Sequence, residues 1–161
     1  MSVSCYTVDQ LRTANGTLFG MHLARDGVAV YDPDEILGSL LVVMGQPDPV
    51  VLLARAKHFS AILDVTAVEL NVYLDGLVRL ARYLLRSAIY AVAIAQGSPC
   101  FSVRELAVRF AEPELADLLS SDPSVQSPNT TATFRDLVGR LSALLDDWLQ
   151  GVRALRAMIH H

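Results

Sequence analysis

The chain has 161 residues, of which 52% are hydrophobic and 19% charged, and a net charge of −4. This length suits one domain, or a small fragment plus one domain, and the apolar content excludes a disordered chain. The acidic balance disfavours a general nucleic-acid binder, and the longest charge-free run, 87–103, contains Gln96, Gly97 and Pro99, so no membrane-spanning helix of about 20 apolar residues is expected.

The N-terminus lacks the charged, apolar and cleavage regions of a secretory signal, which points to a cytoplasmic location. Residues 3–7 read as a weak strand. Residues 17–24 alternate, with Phe19, Met21 and Leu23 on one side and Leu18, Gly20, His22 and Ala24 on the other, the period of a strand. Asp26-Gly27 reads as a hairpin turn, and residues 28–31 as the returning strand. The period then changes. Asp32-Pro33-Asp34-Glu35 is a helix-start signal for a helix reaching about Met44 and stopping at Gly45. Asp48-Pro49 repeats that signal for a helix ending near Leu63.

The best helix pattern covers about 66–96. Leu70, Leu74, Leu77, Ala81, Leu84, Ala88, Ala91 and Ala95 alternate in steps of four and three, which makes a packing seam. Val78, Leu85, Ile89 and Val92 widen it to the apolar face of a bundle helix. Ser102-Val103-Arg104-Glu105 is a capping box for a short helix to about Phe110. Glu112-Pro113-Glu114 starts another, to about Leu119, and residues 120–131 read as a mobile loop. A last helix runs from about Phe134 to Met158, with Leu137, Leu141, Leu144, Leu145, Trp148, Val152 and Leu155 on its apolar face. The expected fold is mainly α: a bundle of about four long helices plus short ones, with an N-terminal β-hairpin. Residues 1–32 form the hairpin part and residues 33–161 the bundle.

Few residues point to chemistry. Arg79, Arg82 and Arg86 share one stripe with Asp75, spaced four, three and four, roughly opposite the seam. Three guanidinium groups in a row are candidates to bind an anion or a nucleotide phosphate. The competing reading is a solvated face with an Asp75–Arg79 pair one turn apart. Asp32-Pro33-Asp34 has the spacing of a magnesium-binding acid pair, but helix capping accounts for it. His22 and His58 have no acid, thiol or second His placed to make them a base or a ligand. Cys5 and Cys100 lack neighbours at metal spacing and read as small buried apolar side chains. No catalytic residue and no metal ligand is assigned.

The stretch GTLFGMHLARDGVAVYDPDEIL, residues 16–37, followed at once by helices, resembles the later part of bacterial nucleotidyltransferase-like proteins. There a small mixed α/β catalytic domain precedes a helical substrate-binding or HEPN-like domain. Arg25, Asp26, Gly27, Val28, Val30, Tyr31 and Asp32 match the pattern of the last strands. Residues 74–107 resemble the long helix and the short helix that follows it. The family's Gly-Ser and acid triad have no counterpart here, so the resemblance implies that the catalytic front lies outside this chain. It implies a non-catalytic module binding a substrate or a partner, either a catalytic nucleotidyltransferase subunit or a second copy, and a small-molecule or protein acceptor. Magnesium and a nucleoside triphosphate would enter only with the catalytic part. Two alternatives are carried beside this reading. One is a HEPN-type ribonuclease, because Arg153 with His160 and Arg156 with His161 fit that family's loose Arg–His spacing, although the histidines stand at an end that should fray. The other is a plain helical dimerisation protein.

Overall fold

The computed structural model describes residues 5–100 and 131–159, together with Ser102 and Glu105. It is mainly helical, and there is no strand among the described residues. The chain divides into two compact units, Met1–Asp48 and Pro49–His161. The sequence reading placed the division at residue 32 instead.

The first unit contains α1 (Val8–Thr13), α2 (Leu18–Asp26) and α3 (Ile36–Val42), with α3 packed against the other two. The expected hairpin is not formed. Residues 17–24 are the start and body of α2, and residues 28–31 are irregular. Thr17 decides this locally, because its hydroxyl accepts the N–H of Gly20 at 3.1 Å and caps the helix. His22 and Asp26, one turn apart, meet at 2.9 Å. Gly27 closes α2, its N–H donating to the Leu23 carbonyl at 2.8 Å, so Asp26-Gly27 is a helix stop and not a hairpin turn. Thr7 similarly starts α1 with a capping box. Its hydroxyl accepts from Gln10 N–H, and the Gln10 side chain accepts from Thr7 N–H at 2.8 Å. The strand pattern that carried the first part of the nucleotidyltransferase resemblance therefore folds as helix and coil.

The helix expected from Pro33 begins at Ile36. Glu35 stands at φ 52°, in the left-handed region, which a right-handed helix cannot include. Asp32 still caps α3, from farther away: its carboxylate accepts the N–H of Ile36 at 3.0 Å and of Gly38 at 3.1 Å. After α3, the Gly45 N–H donates to the Asn15 side chain at 2.8 Å and ties the end of this unit to the turn between α1 and α2.

The second unit holds the main core. α4 (Pro49–Ser60) starts at the proline, as its N-terminal signal predicts, and runs into a single 3-10 turn, Ala61–Leu63. α5 (Ala67–Ala95) and α6 (Thr131–Ile159) are each 29 residues long. Thr66 and Glu69 form a capping box at the head of α5. The Thr66 hydroxyl, and after it the Thr66 N–H, holds the Glu69 carboxyl below its ordinary value. α4, α5 and α6 all pack on one another.

The four-and-three seam of α5 is the heart of this packing. Leu70, Leu77, Ala81, Leu84, Ala88 and Ala91 are buried, as are Val78, Leu85, Ile89 and Val92, while Leu74 and Ala95 are half-buried. They meet Leu53, Ala56 and Leu63 from the α4 side and Phe134, Leu137, Leu141, Leu145 and Val152 from α6. Each fully buried Leu or Ile contributes about 1.5–3 kcal/mol relative to exposure. A polar clasp crosses from α4 to α6: Lys57 Nζ donates to Asp146 at 2.6 Å and to Ser142 at 2.8 Å. Leu155, expected on the apolar face, is exposed. The capping box at Ser102 is present in part, with Glu105 N–H donating to the Ser102 hydroxyl at 3.3 Å. The short helix expected from 112 lies outside the described residues, as does the loop expected over 120–131 apart from Thr131, which already begins α6. Among the described residues no helix is long and apolar enough to cross a membrane.

Candidate functional site

The side of α5 turned away from the seam carries the candidate anion-binding arginines. They differ in burial. Arg79 is exposed, whereas Arg82 and Arg86 are half-buried with their Nε atoms sealed from solvent. The Nε–H of Arg86 has no acceptor among the described residues. Arg79 is thus open to water while Arg82 and Arg86 are covered at their Nε atoms, so the three differ in their access to a ligand. The expected Asp75–Arg79 ion pair is also not made. Arg79 Nε donates to the Asp75 backbone carbonyl at 3.3 Å, and the Asp75 carboxylate has no partner among the described residues.

The same outward side carries a second feature, which reasoning from charge alone passes over. Val68, Val72, Gly76, Arg79 and Tyr83 follow steps of four, four, three and four, the spacing of one helical stripe. Val68 is 74% exposed, Val72 67% and Tyr83 65%. Tyr73, near the edge of this face, is exposed as well. Gly76 interrupts the middle of the helix, and a Cβ there would meet nothing within 4 Å among the described residues. The stripe is therefore apolar and aromatic at both ends, bare in the middle, and flanked there by Asp75 and Arg79. The signal was present in the sequence as the seam's own four-and-three spacing, applied to residues outside the seam.

The other singled-out residues have local roles. The pairing of His22 with Asp26 is joined by Arg25, which contacts the same carboxylate at 2.7 Å. The Arg25 guanidinium, before His22, holds the Asp26 carboxyl below its usual value. His58 lies edge-on to Phe59, 5.4 Å between ring centres, and Arg55 lies over that ring. Asp32 caps α3. Cys100 is buried as expected, but Cys5 is exposed, because it precedes α1 and has no core beside it. No group of three or more His, Cys, Asp or Glu residues is placed to hold a metal ion among the described residues. Arg153 and Arg156 lie in the last turns of α6, while His160 and His161 are outside the described residues.

No protein-family model, curated protein or solved structure matches the chain.

Proposed function

We propose that this chain is a helical partner-binding module whose working surface is the outward side of α5. The observation that supports this reading is the stripe of exposed Val68, Val72 and Tyr83 on a helix whose opposite side forms the core. Single exposed apolar residues are ordinary, but apolar and aromatic groups aligned along one rigid face are what interfaces use. Tyr and Arg are enriched among the residues that carry binding energy. Arg79 adds a cation to the stripe at its centre. The face sits on a 29-residue helix anchored by a buried seam, so a partner meets a preorganised surface and little ordering cost opposes binding. This reading keeps the binding role expected from the sequence and does not use the nucleotidyltransferase attachment, because the strand part of that resemblance, residues 16–32, folds as helix and coil.

A photo-crosslinking residue at position 72, with a control at the exposed Gln150 on α6, tests the proposal in producing cells. A discrete adduct from position 72 that is absent from position 150 is the expected result. Equal labelling from both positions, or none from position 72, would reject α5 as the binding face.

A further inference from the structure

We infer that the partner of this face is a second copy of the chain, docked through an antiparallel α5–α5 contact centred next to Gly76. The inference deepens the binding role proposed above and rests on it. Its basis is the order of charges along the stripe. Asp75 precedes Arg79 by one turn, and neither side chain satisfies the other, since Arg79 Nε turns to the Asp75 carbonyl. A two-fold axis through position 77 sets each Asp75 opposite the Arg79 of the other copy, twice over. A parallel arrangement in register would instead set Asp75 against Asp75 and Arg79 against Arg79. Pairing in a two-fold interface is reciprocal, so one acid and one base on the same face suffice to make it self-complementary.

The apolar groups obey the same axis. Antiparallel pairing about position 77 brings Val72 of one copy to within one residue of Tyr83 of the other, at both ends of the contact. The exposed stripe from Val68 to Tyr83 is about 22 Å long at 1.5 Å per residue, which is enough for four turns of helix against helix. Gly76 lies beside the axis. A mid-helix glycine costs about 1 kcal/mol relative to alanine, and no described neighbour requires one here. A missing side chain next to the axis lets two helix backbones approach closely.

Charge exchange tests this geometry directly. Sedimentation or light scattering of the full chain should show a dimer at tens of micromolar. Arg79→Asp gives two acids on each face, and Asp75→Arg gives two bases. Each variant alone should weaken dimerisation about tenfold to a hundredfold, the effect of like charges facing each other across a contact. Mixing the two variants in equal amounts should restore a dimer, now of one copy of each, because both cross-pairs are again opposite in sign. Both positions are exposed, and circular dichroism checks that each variant remains helical. A monomeric wild-type chain at 100 micromolar (on the order of the weakest association worth a specific face) overturns the inference. So does a dimer indifferent to both substitutions, or a mixture that stays monomeric. If position 72 crosslinks in cells to an adduct other than twice the chain's mass, the self-pairing fails while the binding face stands.

Discussion

At Gly20 the absence of one methyl group decides how the first unit closes. An added Cβ would overlap the Ala14 carbonyl oxygen and stand 3.0 Å from Met44 Sδ. The sulfur ends a flexible side chain and can move. The carbonyl belongs to the turn between α1 and α2, held by the Thr17 N–H and hydroxyl, both of which donate to that same oxygen. Alanine is favoured over glycine by about 1 kcal/mol inside a helix, but overpacking against fixed backbone costs about 1–3 kcal/mol. Gly20→Ala is therefore expected to loosen the first unit, seen as faster amide exchange at Met21 and Leu23. Slower exchange there would mean that the turn gives way easily. Gly139, with open space around its Cβ position among the described residues, is the natural control, because alanine at that site should only stabilise α6.

Among the elements, α5 is asymmetric. Its seam is sealed against α4 and α6, and Leu85 on the widened face has no exposed surface at all. Leu85→Ala removes buried methyl groups and leaves a cavity, at a cost of about 2–5 kcal/mol. Urea unfolding should show that loss as a lower midpoint with an unchanged slope. A loss below about 1 kcal/mol would mean that α4 and α6 collapse into the gap. The outward side of the same helix behaves differently. Its Val and Tyr side chains are already in water, so truncating Val72 should alter association far more than folding. The two sides separate stability from binding on one helix.

For the molecule as a whole, the two units differ in how much they bury. In Pro49–His161 three helices share a continuous core, whereas in Met1–Asp48 the buried apolar side chains are Ala14, Met21 and Pro47 among the described residues. Between α2 and α3, Val28, Val30 and Tyr31 are more than four-fifths exposed and lie in irregular backbone. Exposed, irregular backbone is where proteases cut first. Brief chymotrypsin treatment should therefore cleave after Tyr31 before any site in α5 or α6, and mass spectrometry of the fragments reads this. Earliest cleavage within α5 would show that this helix opens more readily than its burial implies.

The sequence by itself determined α4, α5 and α6. At Pro49 and at Thr66 to Glu69 the start signals are local, and along α5 the four-and-three pattern persists for seven turns, so capping, propensity and burial all favour one structure. Asp32 as a helix cap was legible too, because a carboxylate ahead of free N–H groups has one obvious use. The identity of residues 17–26 was not. Their alternation is short enough to fit a strand or one side of a helix, and Asp-Gly serves a hairpin turn or a helix end equally well. The Thr17 hydroxyl on Gly20 N–H settles it locally, and the tertiary structure adds the packing of α3 on α2, with Met44 seated beside Gly20. The candidate site divides in the same way. The sequence placed Arg79, Arg82 and Arg86 on one stripe, because helical spacing is intrinsic to the chain. Which of them reaches water is a property of neighbours, and folding left Arg79 open, drew Arg82 and Arg86 inward, and kept Val68, Val72 and Tyr83 exposed beside it.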